Sequence, residues 1–107
     1  MNAIRQLSAP DVKAMIDSGV PFELVDVRTI EERAIATIEG ARLLDRRCHD
    51  DLLAMDRATP IVFQCHHGIR SQSAAEYFLQ QGFSNLYNLR GGIDAWSVLV
   101  DPAVPRY

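Results

Sequence analysis

Two cysteines in 107 residues, Cys48 and Cys65, are too few for a disulfide framework, and neither stands in a C-x-x-C pair. A reduced, cytoplasmic setting suits such a chain. Long apolar runs are also missing. Arg5, Asp11 and Lys13 fall where a signal peptide needs an apolar core, and no stretch approaches membrane-spanning length, so the expectation is an unexported protein that does not enter a membrane. A basic excess is lacking too: 11 basic and 14 acidic side chains leave a formal charge of −3. That excludes a protein whose main work is to neutralise nucleic-acid phosphates or anionic lipid, since both need positive charge. No repeat, low-complexity tract or Gly/Ser linker divides the chain. The only boundary-like stretch is DPAVPRY, so residues 1–100 read as one domain and residues 101–107 as an extended tail.

What is present is ordinary globular composition, 48% hydrophobic and 23% charged. Area scaling allows about 65% of the extended chain's surface to be buried, enough for one core without staples. Short apolar strands alternate with helical stretches. Phe22 to Val27 and Pro60 to Cys65 are the clearest strands, and such alternation predicts βαβ units around a mainly parallel sheet. Ser8 with Asp11 and Thr29 with Glu32 have capping-box spacing, which starts helices near Ala9 and Ile30. Gly19 and Gly82 suit left-handed helix ends. A strand near Ala41 to Leu44, a helix over Asp50 to Met55, a strand near Asn85 to Leu89 and a helix from Gly92 to Val98 complete the pattern, with Ile4 to Leu7 as a possible fifth strand.

The chemistry concentrates in PIVFQC-HHGIR-SQSAAEYFLQQG: an apolar strand, a cysteine at its C-terminal end, a tight loop with Gly68, then a helix opening at Ser71. Ligands of open α/β sheets bind at the carboxyl ends of strands. A cysteine there faces the positive end of the next helix, and loop N–H groups can curl around its sulfur; both favour the thiolate, which is the nucleophile. His66, His67 and Arg70 act in the same direction, and no carboxylate lies between Cys65 and Arg70. A cysteine ending an apolar strand is ordinarily a small buried hydrophobe. Glycine, arginine and a helix-start serine following in order turn the reading toward a nucleophile.

Loop length separates the chemistries. Cysteine phosphatases present Cys-x5-Arg, whereas this chain reads Cys65-x4-Arg70, one residue short of the ring that encircles a phosphoryl group. The six-residue loop, Cys65, His66, His67, Gly68, Ile69 and Arg70, resembles the active loop of rhodanese-type sulfurtransferases. LVDVRTIEE, with Asp26, Arg28 and Glu32, resembles that family's early DVR segment; IEGA, Ile38 to Ala41, resembles the end of its Gly-His-Ile-Pro-Gly-Ala element; LRGGIDAW, Leu89 to Trp96, resembles its Gly-Gly-x-x-x-Trp signature. Where the family often has Gly-His and Pro, this chain has Ala36, Thr37 and Glu39.

The resemblance implies a three-layer rhodanese-like α/β domain with about five mainly parallel strands flanked by helices. It implies a thiosulfate sulfurtransferase without cofactor or metal. Cys65 would take the outer sulfur of a small anionic donor such as thiosulfate, hold it as a persulfide, and pass it to a thiol, cyanide or a protein. Family members with basic loops prefer thiosulfate, which His66, His67 and Arg70 fit. The alternative is a persulfide carrier charged by a partner protein. A phosphatase or arsenate-type reductase is disfavoured by the short loop.

Other residues carry two readings each. Arg70 either binds the donor at the loop mouth or pairs with a carboxylate on a neighbouring element. Asp26 and Arg28, with Ser71, are expected to support the loop, the first two by tying the second strand's end to it. His66 and His67 act through charge or are solvated loop residues. Cys48, in DRRCHD, reads as a bystander in a polar segment rather than a resolving thiol, and a zinc site from Cys48, His49, Cys65 and His66 matches no familiar spacing. Trp96, Tyr77 and Phe78 read as packing residues, and Gly91-Gly92 as a backbone turn. Residues 57–93 carry three arginines against Glu76 alone, so this acidic chain keeps its positive excess around Cys65.

Overall fold

The computed structural model describes residues 3–107; Met1 and Asn2, the start of the expected domain, lie outside the described residues. Strands and helices alternate throughout: β1 Ile4–Leu7, α1 Ala9–Ser18, β2 Glu23–Asp26, α2 Ile30–Ile35, β3 Arg42–Leu43, α3 Arg46–Leu53, β4 Ile61–Gln64, α4 Ile69–Gln80, β5 Leu86–Leu89 and α5 Gly92–Leu99. The five strands found among the described residues form one sheet, ordered β1-β5-β4-β2-β3, with every pairing parallel. Since all strands run the same way, the loops after β2, β4 and β5 gather along one edge, with β4 at the centre.

Side-chain alternation along β4 divides the core. Ile61 and Phe63 enter one cluster with Val25, Cys48, Leu52, Ala75, Phe78 and Phe83, while Val62 enters the other with Val12, Leu24, Leu89, Ile93 and Trp96. Helices α3 and α4 therefore cover one face, and α1 and α5 the other. A strand buried on both faces must be continuously apolar, as IVF is. Among the described residues no helix is long and apolar enough to cross a membrane.

Local signals act where the sequence puts them. Ser8 and Thr29 each accept the N–H of the residue three positions on, at 3.2 and 3.1 Å, and the acids Asp11 and Glu32 reach back to the caps. Most boundaries fall within a residue or two of expectation, and one differs by a full turn. The helix expected over Asp50 to Met55 starts four residues earlier, because Asp45 caps it by accepting the Cys48 N–H at 2.8 Å. Its buried stripe is only Cys48 and Leu52, one turn apart, among polar neighbours, so periodicity gave little warning. This start turns the Cys48 side chain out of its polar segment and into the core. Residues 101–107 fold back on the domain: Val104 packs against the core, and Arg106 pairs with Asp94 at 2.8 Å.

Candidate active site

Cys65 follows β4 directly, at the middle of the carboxyl edge, and the chain then turns through Gly68 (φ 100°) into α4. The turn aims N–H groups at the sulfur: Gly68 N–H donates to Sγ at 3.1 Å and Ser71 N–H at 3.4 Å, with the Ser71 hydroxyl 3.3 Å away. Burial alone pushes the Cys65 thiol up. The Ser71 hydroxyl and the N–H groups of Ser71, Gly68 and His67 outweigh it and hold the thiol below its ordinary value. The loop is thus an anion nest built before any substrate arrives.

A buried polar network sets Ser71. Asn88 on β5 donates its amide to the Gly68 carbonyl at 3.1 Å and to Gln6 at 2.9 Å, so its oxygen is left to accept the Ser71 hydroxyl at 2.6 Å. Ser71 has one proton; to donate to a thiolate it must rotate from Asn88 to the sulfur. Nothing in the sequence marked Asn88, whose register opposite Phe63 brings it to the loop.

The Gly91-Gly92 turn closes the other side. The Ile93 N–H donates to the Cys65 carbonyl at 2.8 Å and the Asp94 N–H to the His66 carbonyl at 3.2 Å. A Cβ on Gly92 would overlap both carbonyl oxygens, and its φ of 62° is left-handed, so only glycine lets α5 clasp the loop this closely.

Arg70 forms a two-pronged ion pair with Glu32, at 2.7 and 3.0 Å, which is the neighbouring-carboxylate arrangement of its two readings. This guanidinium, opposed by burial and helped by the Tyr107 hydroxyl, holds the Glu32 carboxyl well below the usual carboxylate range. Asp26 and Arg28 form a buried fork-to-fork pair at 2.8 Å on both prongs, and Arg33 adds a third bond to Asp26 at 3.0 Å. Arg28 continues to the Ala36 carbonyl and the Tyr107 hydroxyl. The pair therefore ties β2 to α2 and the C-terminal segment, while the end of β2 is joined by backbone to the last residue of β4, just before the loop, through Val27 N–H to the Gln64 carbonyl at 2.7 Å.

Tyr107, like Asn88, is a residue that sequence reasoning passed over. Its ring stacks on His66, centroids 3.9 Å apart and nearly parallel, while His67 lies 3.9 Å from the other member of the pair. His67 and Ile69 face outward. Among the described residues, His66, His67 and Asp94 bring ligand-type atoms within 4.8 Å of one another, but Arg106 occupies Asp94 through both prongs. Cys48 and His49 join no such cluster.

Comparison with known proteins agrees with this geometry. The family model Rhodanese-like domain matches residues 8–99. Thiosulfate sulfurtransferase GlpE of Pseudomonas aeruginosa strain PAO1 is 36% identical over 89% of this chain and 86% of its own length. The protein of that name from strain LESB58 is 44% identical over the same shares. A crystal structure of a rhodanese-like domain protein from Staphylococcus aureus superposes with a TM-score of 0.77 at 27% identity, covering 97% of this chain and 99% of that one. Its parallel sheet, its cysteine nest at the carboxyl edge and these relatives together make this chain a member of the rhodanese-like domain family.

Proposed function

We propose that this protein is a thiosulfate sulfurtransferase working through a persulfide on Cys65. The observation that carries the reading is the nest: N–H donors from Gly68, within the six-residue loop, and from Ser71, directly after it, converge on Sγ. In the first step the Cys65 thiolate attacks the outer sulfur of thiosulfate. A new S–S bond forms, the original one breaks, and sulfite leaves with the electron pair. The outer sulfur of the persulfide bears the charge, and the same donors are positioned to stabilise it. A thiolate or cyanide then attacks that outer sulfur and restores the Cys65 thiolate; with cyanide the product is thiocyanate.

His66 and His67 have no proton to abstract in either step, so their part is charge and loop shape. Arg70 is the cation at the loop's far end; its Glu32 partner does most to raise its proton affinity, and the Cys65 charge adds to it. An arriving dianion competes with Glu32 for that guanidinium. Asp26, Arg28 and Ser71 serve as supports, and the acceptor in a reducing compartment is a thiol or a protein thiol.

Intact mass after thiosulfate treatment tests the reading. The expected result is a gain of one sulfur atom, lost on adding cyanide and absent in Cys65→Ala. If the wild-type chain gains no sulfur from thiosulfate, the donor assignment fails. Sulfur uptake without repeated turnover on thiosulfate and cyanide would make the domain a carrier.

A further inference from the structure

We propose that Tyr107 is a specificity-determining residue that limits the size of what reaches the Cys65 sulfur. The inference rests on Cys65 being the reacting atom. Its basis is an unbroken arc of contacts across the loop. The Tyr107 ring stacks on His66 at 3.9 Å, with an interplanar angle of 8°. The Tyr107 hydroxyl donates to the Glu32 carboxylate at 2.7 Å and accepts from Arg28 at 3.0 Å. Glu32 in turn grips Arg70. Contacts thus run from His66, the second residue of the loop, through Tyr107 and Glu32 to Arg70, the last. Cys65, which opens the loop that the arc spans, is only 1% exposed, so a reagent touches the sulfur only when its surroundings move.

The members of the arc differ in how firmly they are held. Glu32 is fixed by its cap bonds to Thr29 and by Arg70, and His66 is clasped through its carbonyl by α5. Tyr107 belongs to no helix or strand, the residue is 38% exposed, and its tether next door is the solvent-facing Arg106–Asp94 pair. Exposed ion pairs of that kind hold weakly. Tyr107 is therefore the movable part of the rim. A small tilt of its ring admits a small anion or cyanide, whereas a bulky thiol needs the ring off His66 and both hydroxyl bonds broken.

The test compares alkylation of Cys65 by iodoacetamide with its alkylation by a maleimide carrying a polyethylene glycol chain, using the full-length protein. Cys65→Ala serves as the blank for Cys48. Both reagents consume the thiolate, so the ratio of their rates cancels any change in thiol acidity. Tyr107→Ala is expected to raise the bulky-to-small ratio by roughly tenfold, a barrier change of about 1.4 kcal/mol. Tyr107→Phe keeps the stack and loses the hydroxyl bonds, and its ratio is expected to fall between the two. An unchanged ratio in Tyr107→Ala, or equal acceleration of both reagents, overturns the proposal. Because labelling needs no thiosulfate, failure of sulfur uptake by the wild-type chain would strike the proposed reaction and leave this ratio readable.

Discussion

Cys65 and Cys48 are buried alike, 1% and 0% exposed, in regions joined by one core, yet their thiols shift in opposite directions. Around Cys48 on α3, burial pushes the thiol up, and the Arg42 charge does not offset it. Around Cys65 the loop supplies N–H groups and a hydroxyl, and the thiol falls. Depth in the protein is the same; the number of donors aimed at sulfur differs. Cys48 stands in the first turn of a helix, but the Cys48 N–H there is taken by Asp45 and its side chain turns into the apolar core, where burial is the largest influence on the thiol. The first turn after a strand-to-helix loop has N–H groups to spare, and Cys65 sits before it.

The comparison can be broken in several ways. Cys65→Ala should lower sulfur transfer from thiosulfate by roughly a thousandfold or more in a turnover assay, the scale of losing a nucleophile. Asp26→Ala strands the buried Arg28 guanidinium and unfastens Arg33, for a loss of about 3–5 kcal/mol in urea unfolding. Gly92→Ala pushes α5 off the Cys65 and His66 carbonyls, costing about 2–3 kcal/mol of stability and reducing turnover more than Cys48→Ala does. That last variant should cost only about 1 kcal/mol, the loss of one buried atom, with turnover retained.

The smallest effect is the most direct probe of the contrast. In an iodoacetamide pH–rate profile, Cys65 should reach half-maximal rate at a lower pH than an ordinary thiol, and Cys48 at a higher one. The stability signs follow. The Cys65 acid is stronger when folded, so its contribution is present above the unfolded pKa and is lost as pH falls through the folded one. Cys48 is a weaker acid when folded, so it destabilises as pH rises past the unfolded value. Coincident midpoints for the two cysteines would remove the distinction.

Much of this was legible from the residues. IVF followed by Cys65 marks a strand buried on both faces, and the two capping boxes start α1 and α2 where their hydroxyls stand. Gly68, Arg70 and Ser71 at fixed offsets define the loop. These are local properties, decided by neighbours within a few positions. The start of α3 was hidden because Asp45 has no acid partner three residues on, and because its apolar stripe is two residues wide.

What the chain order could not state is which distant groups meet at the loop edge. Glu32 was readable as a cap acid for Thr29; that the same carboxylate also holds Arg70, 38 positions away, and Tyr107, 75 away, follows from β2 and β4 lying side by side. Asn88 reaches Ser71 through strand register, and the tail reaches His66 because Val104 and Arg106 fasten it along α5. The sequence by itself determined a cysteine in a six-residue nest on a parallel sheet, since strand, turn and helix start are written in consecutive residues. Tertiary structure alone decided the company around that nest, because pairing across the sheet edge depends on where separate strands and the returning tail end in space.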